Sequence, residues 1–464
     1  MNSTKKNLKH IHFIGIGGSG MSGLAEVLFN QGYTISGSDF NLSSVTERLS
    51  SLGITIENSH KAKNIQGVDM VVKSAAIGEE NEELLEAKKL KIPVLARAEL
   101  LSSLMNMKKG IAVAGTHGKT TTTSLLASIM TEAMLDPTFV VGGVLKSFST
   151  NAKLGSGEYL VAEADESDKS FLMLQPSLAI ITNIDEDHLI NYNNDIKNLE
   201  RAFVDFSKRL PFDGLLIVCG DDPILKNLLP SFNRQIISYG FGENNDYVIK
   251  DLTFFEFKSK FSISNKSNNF QINLNMPGKH NVLNATAAAV LAIEEEISIL
   301  NIQNALNKFK GISRRMSFLG KIKINNNPNF VIDDYGHHPT ELKNTIETIR
   351  NIFPKKEVTM VFQPHRFSRT KDLFENFIKV LQLVDNLILL PIYPAGEEEI
   401  RGISSTILVK ELKKQGFKKA YLSDSFSSLV EMLSHIQTDK DSVLLIQGAG
   451  NISDFSHQIL ELKK

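Results

Sequence analysis

The most constraining feature of this sequence is a glycine-containing turn between an apolar strand and an apolar helix. GIAVAGT predicts a buried strand, and TTTSLLASIMTEAM predicts the helix after it. Backbone amides at such a turn bind phosphate groups, and a lysine and a hydroxyl follow in the order that a triphosphate with Mg²⁺ requires. The turn therefore predicts an α/β domain that binds ATP through Gly115, Thr116, His117, Gly118, Lys119, Thr120 and Thr121. Lys119 is expected at the β- and γ-phosphates and Thr120 at the metal ion.

A second turn of this type lies near the N-terminus. The strand IHFIGI leads into the turn Gly15-Ile16-Gly17-Gly18-Ser19-Gly20, and the helix MSGLAEVLFNQG follows. Its amides can bind a diphosphate, and Asp39 ends the next strand, where a carboxylate commonly binds a ribose. The pattern alone is weak evidence, since it also fits an NAD-dependent dehydrogenase, a UDP-sugar binding module, or glycines needed only for packing.

Composition limits the class of protein. Lys and Arg number 51 against 52 Asp and Glu, so no charge imbalance favours nucleic acid or an anionic membrane as a partner. No apolar run has the length of a membrane span, and no signal peptide is evident at the N-terminus. The single cysteine, Cys219, excludes a disulfide framework and is expected in a buried strand. These features predict a soluble cytoplasmic enzyme.

The periodicity divides the 464 residues into three α/β domains. Residues 1–105 predict a Rossmann-like domain, and residues 106–308 a central P-loop ATPase-like domain. Residues 247 to about 275, which alternate in short strands rich in Phe, Ser and Asn, predict a β-rich insert in the central domain. Residues 309–464 predict a second Rossmann-like domain.

Further motifs follow the ATP turn. EADESDKSFLMLQP contains Glu163 at a strand end, TNIDEDHL contains Asn183 and His188, and PGKHNVLNATAA opens a helix. In that helix the asparagines offer both a donor and an acceptor to a purine edge, and a histidine can stack on the ring, so His280, Asn281 and Asn284 are candidate adenine contacts. Helix capping is the alternative for Asn281. The acids Asp165, Glu166, Asp168, Asp185, Glu186 and Asp187 are interpreted as solvated loop charges as readily as site residues.

GTHGKTTT and the motifs after it resemble, in order and across all three predicted domains, those of the Mur ligase family. The resemblance implies that Glu163 and His188 bind Mg²⁺ and that the first turn, with Asp39, Ser74 and Ala75, binds the UDP of a sugar nucleotide. Several relatives carbamylate a lysine about fifteen residues after the histidine that matches His188. Here that offset lands on Phe203, so no carbamate ligand is expected.

GISRRMS, DDYGHHPTE and FQPHRFSRT resemble the alanine-adding branch of the family most closely. The branch implies that Arg315 reaches the ATP phosphates and that Asp333 and Asp334 lie near the ribose. It also implies an amino-acid site formed by Tyr335, His337, Arg366 and Arg369. Two arginines spaced three apart suit a carboxylate ligand, although a surface ion pair is the alternative for either.

The implied reaction is amide formation between UDP-N-acetylmuramate and L-alanine in peptidoglycan precursor synthesis, driven by ATP with Mg²⁺ through an acyl phosphate. Lys119, Glu163, His188 and Arg315 are the expected catalytic residues. The expected assembly is a monomer or a weak homodimer. The main alternative is a recycling ligase that attaches a preformed murein peptide to the same sugar nucleotide.

Overall fold

The computed structural model of the protein describes residues 8–41, 43–324, 327–436 and 442–461. It packs as two compact units. The first contains the described residues up to 251 together with 261–273 and 283–310, and the second contains 252–260, 274–282 and the described residues from 311 onward.

The N-terminal sheet belongs to the first unit and has the order β3-β2-β1-β4-β5 with every pair parallel. Its strands are β1 (His10–Ile14), β2 (Thr34–Ser38), β3 (Thr55–Glu57), β4 (Met70–Lys73) and β5 (Val94–Ala96). Its helices are α1 (Ser19–Asn30), α2 (Ser44–Ser51), α3 (Glu82–Lys89) and α4 (Arg97–Met105). The adjacent strands β1 and β4 form because their apolar runs are buried on both faces, as the interior strands of a parallel sheet require.

A second sheet has ten strands in the order β15-β14-β13-β12-β11-β10-β6-β9-β7-β8. The strands are β6 (Lys109–Ala114), β7 (Thr138–Leu145), β8 (Thr150–Lys153), β9 (Tyr159–Glu163), β10 (Leu178–Ile181), β11 (Leu215–Cys219), β12 (Gln235–Gly240), β13 (Tyr247–Phe255), β14 (Lys258–Ser264) and β15 (Asn269–Leu274). The helices are α5 (Lys119–Glu132), α6 (Ile196–Ser207), α7 (Pro223–Leu228), α8 (Lys279–Glu294) and α9 (Ile299–Lys308). Cys219 is buried at the end of β11, as predicted.

β6 is the key strand of this sheet. It pairs in parallel with β9 and with β10, so the carboxyl ends of the three strands meet at one edge. The turn Gly115–Gly118, Glu163 and the segment after Ile181 all leave that edge. Ligands of parallel α/β sheets bind at this edge.

The third sheet belongs to the second unit and has the order β16-β17-β21-β18-β19-β20. Its strands are β16 (Ser317–Ile324), β17 (Asn327–Asp334), β18 (Glu357–Phe362), β19 (Asn386–Leu389), β20 (Ala420–Leu422) and β21 (Ser442–Gln447). The helices are α10 (Pro339–Ile352), α11 (Phe367–Asp372), α12 (Phe374–Leu381), α13 (Ser405–Lys414), α14 (Phe426–His435) and α15 (Ile452–Glu461). Only the edge strand β16 runs antiparallel among the pairs of this sheet in the described residues.

The α/β fold class is confirmed, and three sheets carry the three predicted regions. Sequence periodicity missed the short elements α2 and β3 and the hairpin of β7 and β8. Within the described part of the chain, no helix is both long and apolar enough to cross a bilayer.

Candidate active site

The turn between β6 and α5 is built around two glycines with positive φ. Gly115 has φ +127° and Gly118 has φ +84°, conformations that other residues adopt only with strain. A Cβ atom at Gly115 would collide with the hydroxyl of Thr182, and one at Gly118 would collide with the amide of Asn284. Glycine is therefore required at both positions by conformation and by space.

The segment after β10 holds this turn in place. Asn183 accepts a hydrogen bond from the His117 amide at 2.8 Å through Oδ1 and donates one to the His117 carbonyl at 2.9 Å through Nδ2. The Thr182 hydroxyl donates to the same carbonyl at 2.6 Å. The His117 ring contacts Asp185, with Nε2 and Oδ2 2.9 Å apart. Asn183, which the sequence singled out without a role, is thus a scaffold residue of the turn.

Lys119 has every N–H of its ammonium group engaged. The Nζ atom donates to the carbonyl oxygens of Gly115 at 2.6 Å and Thr116 at 3.2 Å, and to Glu166 Oε2 at 2.6 Å. Burial acts to lower the pKa of Lys119, but the carboxylates of Glu166, Asp165 and Glu163 outweigh it and raise the pKa above its usual value. Lys119 therefore stays a cation at the carboxyl edge of the sheet.

The acids after β9 and β10 differ in their surroundings. Glu166 and Asp187 are buried, so the interpretation as solvated loop charges is wrong for these two. Asp168 and Glu186 are exposed, in agreement with it. Burial raises the pKa of Glu166 to about 7, because one ammonium group cannot neutralise all the carboxylates around it.

The three predicted metal ligands, Thr120, Glu163 and His188, differ in the hydrogen bonds that they make. Glu163 Oε1 accepts a hydrogen bond from the Gly142 amide at 2.5 Å. His188 has the left-handed φ of +56°, and Asp187 accepts a hydrogen bond from its amide at 2.9 Å. The hydroxyl of Thr120 makes no hydrogen bond to any described residue, whereas that of Thr123 donates to the Lys119 carbonyl at 2.8 Å. A free hydroxyl, a carboxylate and an imidazole form a donor set that fits a divalent cation.

The N-terminal turn connects β1 to α1. Asp39 Oδ2 accepts a hydrogen bond from the Gly17 amide at 2.9 Å, and Oδ1 accepts one from the Asn41 amide at 3.0 Å. A Cβ atom at Gly17 would lie 2.8 Å from Asp39 Oδ2. Asp39 is therefore part of the turn itself, and its predicted contact with a ribose stays a prediction.

Other predicted residues of the sugar-nucleotide site surround this turn. Ser74 is half-buried and donates its amide to the Ile14 carbonyl at 3.1 Å, while Ala75 is exposed. The guanidinium of Arg97 lies over Gly20, with Nη1 3.1 Å from the position of a Cβ there. α1 begins at Ser19, but the Ser19 side chain lies outside the described residues.

In the second unit, Tyr335 lies beside two arginines. The guanidinium carbons of Arg314 and Arg315 are each 5.0 Å from the centre of its ring. Glu341 approaches Arg315 at 3.7 Å and accepts a hydrogen bond from the His337 amide at 2.9 Å. The sequence did not single out Glu341, although its place three residues after His338 fits a helix-capping box.

Two side chains of the predicted amino-acid site, His337 and Arg369, both contact a histidine that sequence reasoning missed. The His365 ring lies 5.4 Å from the His337 ring and stacks on Tyr393 at 5.5 Å and 11°. The buried Arg369 contacts His365, with Nη1 and Nδ1 3.3 Å apart. Arg366 is more exposed and lies 3.8 Å from Glu397, which agrees with the ion-pair alternative.

Two of the predicted ATP contacts in this unit also serve its own fold. Asp334 is buried and accepts hydrogen bonds from the Gln447 amide group at 2.7 Å and from the Met316 amide at 2.9 Å. Asn281 donates to the Pro277 carbonyl at 2.7 Å. Burial lowers the pKa of His280 to about 4, so its ring is neutral at pH 7. Their contacts with ATP stay predictions.

Phe203 occupies a buried position on α6. Its ring lies 5.3 Å from that of Phe171, which in turn stacks on Phe206 at 5.0 Å. An aromatic cluster therefore fills the position where the offset would place a lysine.

Family models match nearly the whole chain. Residues 10–109 match the Mur ligase family catalytic domain, residues 113–292 the Mur ligase middle domain, and residues 314–450 the Mur ligase glutamate ligase domain.

Among curated proteins, the chain is 47% identical over 453 residues to the UDP-N-acetylmuramate–L-alanine ligase of Hydrogenovibrio crunogenus, covering 97% of this chain and 98% of the relative. Among solved structures it is similar to the UDP-N-acetylmuramate-alanine ligase of Thermotoga maritima, with a TM-score of 0.82, 30% identity and 98% of each chain covered. A murein peptide ligase of Psychrobacter arcticus shares the fold, with a TM-score of 0.73, 24% identity and 98% of each chain covered. The chain belongs to the Mur ligase family.

Proposed function

We propose that the protein is an ATP-dependent ligase that joins L-alanine to UDP-N-acetylmuramate in peptidoglycan precursor synthesis, in the cytoplasm, where ATP and UDP-sugars are available. The observation that carries the proposal is the turn that presents Lys119 at the carboxyl edge of β6, β9 and β10, in a chain 47% identical along its length to a ligase of that name. The proposed domains are residues 1–105, 106–308 and 309–464.

In the proposed reaction, a lactyl carboxylate oxygen attacks the γ-phosphorus of ATP as the bond to the β-phosphate bridging oxygen breaks, giving an acyl phosphate and ADP. The alanine amine then attacks the acyl carbon. The carbon–oxygen bond to phosphate breaks, the amine loses a proton, and the amide and phosphate are released. Lys119 is proposed to stabilise the charge on the transferring phosphoryl group, since a preorganised cation lowers the cost of that charge. Arg315 is proposed to assist it.

The residues proposed to hold Mg²⁺ are Thr120, Glu163 and His188. The ion, when bound, neutralises phosphate charge and favours nucleophilic attack. We expect Glu163→Gln and His188→Ala each to raise the Mg²⁺ concentration needed for half-maximal activity, with partial rescue by Mn²⁺ for the imidazole position. Unchanged metal titrations in both variants would remove these residues from the metal site.

The first unit is proposed to bind UDP through the amides of the turn Gly15–Gly20, with Asp39 as the ribose acceptor and Ser74 and Ala75 near the uracil. The second unit is proposed to bind the carboxylate of alanine through Arg369 and His337. Tyr335 is proposed to limit the size of the side chain that the bound amino acid can have. A buried guanidinium needs an anionic partner, and the carboxylate of a free amino acid supplies one.

The decisive experiment measures phosphate release with ATP, UDP-N-acetylmuramate and one of four acceptors. We expect L-alanine to be preferred over glycine, serine and L-Ala-γ-D-Glu-meso-diaminopimelate, because a peptide presents a neutral amide to Arg369. Faster turnover with the peptide would favour the recycling ligase instead. No phosphate release with any acceptor, together with tight NAD binding, would favour an oxidoreductase.

Arg369→Ala tests the acceptor site itself. We expect the KM for alanine to rise strongly while the KM values for ATP and the sugar nucleotide stay nearly unchanged, as for binding lost at one subsite. Lys371→Ala, which removes an exposed cation from the same short helix, is the matched control. Equal effects of the two substitutions would mean that Arg369 acts only through general charge.

A further inference from the structure

The acid Glu166 has no role in the proposed reaction, although it forms the shortest contact to an acidic side chain that Lys119 makes. Its carboxylate is 3% exposed and lies 2.6 Å from the Lys119 ammonium. A carboxylate is costly to bury, and this one is buried beside the group expected to bind phosphate.

The backbone of Glu166 is held from two directions. The Tyr192 hydroxyl donates to the Glu166 carbonyl at 2.5 Å, and the Lys169 amide donates to it at 3.0 Å. The side-chain amide of Asn191 donates to the next carbonyl, that of Ser167, at 2.7 Å. Asn191 and Tyr192 stand three and four residues after His188, so the main chain at Glu166 is tied to the segment that carries a proposed metal ligand. These bonds fix the main chain from which the carboxylate reaches the ammonium.

An ammonium group has three N–H donors, and Lys119 uses them on Gly115, Thr116 and Glu166. A phosphate oxygen can accept a hydrogen bond from Lys119 only if one of these acceptors gives way. The two carbonyls are neutral and belong to the turn, whereas Glu166 is the acceptor whose charge competes directly with phosphate. Glu166 thus sets both the position of Lys119 and its attraction for an anion.

We propose that Glu166 is a positioning residue that competes with the phosphates of ATP for the Lys119 ammonium, and so limits nucleotide affinity in favour of ADP release. The proposal rests on the proposed function, because it assumes that Lys119 binds ATP. A competing charge and a purely structural ion pair predict opposite changes in nucleotide affinity when Glu166 is replaced. Loss of a structural contact weakens nucleotide binding, whereas loss of a competing charge strengthens it.

The test measures binding of the β,γ-imido analogue of ATP with Mg²⁺ by calorimetry, together with steady-state kinetics. We expect Glu166→Gln, which keeps the shape and removes the charge, to lower the Kd of the analogue on the order of tenfold, since a charge interaction at this distance is strong even when partly screened. The KM for ATP falls with it, and kcat falls several-fold because ADP leaves more slowly. Asp168→Asn, which removes an exposed charge from the same loop, is expected to change the Kd less than twofold.

A conservative variant and a double variant make the result decisive. Glu166→Asp keeps the charge and is expected to restore the wild-type Kd, which also covers the case in which Glu166→Gln folds poorly. In a Lys119→Ala background, Glu166→Gln is expected to have no effect on binding, because the two residues act as one unit. A weaker or unchanged Kd in folded Glu166→Gln, or a Kd in Glu166→Asp as low as that expected for Gln, would overturn the proposal. If Lys119→Ala alone leaves the Kd unchanged, the proposed nucleotide site fails instead.

Discussion

The two glycine turns of the first unit have the same strand–turn–helix construction but opposite electrostatic character. In the N-terminal turn, the carboxylate of Asp39 accepts the amide of Gly17. In the second turn, the ammonium of Lys119 donates to the carbonyls of Gly115 and Thr116. One turn has an amide bound to an acid, and the other has carbonyls bound to a cation.

This difference suits the two anions that we propose for the two turns. The N-terminal turn offers amides and a helix N-terminus, which suit a diphosphate that only has to be held. The second turn adds the Lys119 cation, which suits a phosphoryl group that gains and redistributes charge during transfer. The glycines are needed in both, but for different neighbours. We therefore expect substitutions in the second turn to change the turnover number, and substitutions in the first turn to change the affinity for UDP-N-acetylmuramate.

The largest expected effect is that of Lys119→Ala. Turnover should fall on the order of 10²-fold or more, because a preorganised charge donor is removed from the site of phosphoryl transfer. The Kd of UDP-N-acetylmuramate, measured by calorimetry, should stay at the wild-type value since its proposed site is at the other turn. Lys226→Ala, an exposed lysine of α7, is the control. Near wild-type turnover in Lys119→Ala would contradict the role of the second turn in phosphoryl transfer.

Gly118→Ala and Gly18→Ala compare the two turns at the residue before each helix. Gly118 has φ +84° and no room for a Cβ beside Asn284, so alanine should cost about 1–3 kcal/mol of folding free energy and weaken nucleotide binding. Gly18 has φ −61°, and the nearest atom to an added Cβ is 3.5 Å away. Its alanine variant should be close to wild type in urea unfolding. Equal losses in the two variants would contradict the assignment of the strain.

Asp39→Ala tests whether the hydrogen bonds of Asp39 within the N-terminal turn contribute to sugar-nucleotide binding. Both oxygens of Asp39 accept backbone amides, so the substitution should weaken UDP-N-acetylmuramate binding by about 1–3 kcal/mol and leave ATP binding unchanged. Asp39→Asn keeps one acceptor oxygen and should lose less. Calorimetric Kd values that do not differ between the Ala and Asn variants would argue against a role for these hydrogen bonds.

The smallest effect concerns the pH dependence of stability. Burial raises the folded-state pKa of Glu166 to about 7, above its unfolded value, so its contribution to stability is complete at low pH and is lost as pH rises toward 7. Glu166→Gln has no such loss. Its free energy of unfolding relative to the wild type should therefore rise by about 1–2 kcal/mol between pH 5 and pH 8, as measured by urea unfolding. Parallel pH profiles would mean that Glu166 does not titrate in this range.

The predictions of local geometry agree best with the structure, whereas the binding roles of the site residues stay predictions. The second turn stands between β6 and α5 as predicted, since an apolar run, two glycines and a second apolar run specify that geometry within a few residues. Tyr335, His337 and Arg369, which were predicted to bind the amino acid, lie in one cluster. His365 lies between His337 and Arg369, and the sequence prediction did not include it. It stands four residues before Arg369, and that spacing was the available signal.

The sequence by itself determined the α/β class, the positions of both glycine turns, and the order of motifs that identifies the family. These depend on neighbours in the chain. Only the tertiary structure decided which acids are buried and what each one contacts. Glu166 is 47 residues from Lys119, and Asp334 is 113 residues from Gln447, so their pairings arise from packing between distant strands. Glu166 and Glu186 both stand in acidic loops of the sequence, but Glu166 is buried against a cation and Glu186 is exposed. Solvation and partner charge set the chemistry of an acid, and both are properties of the folded chain.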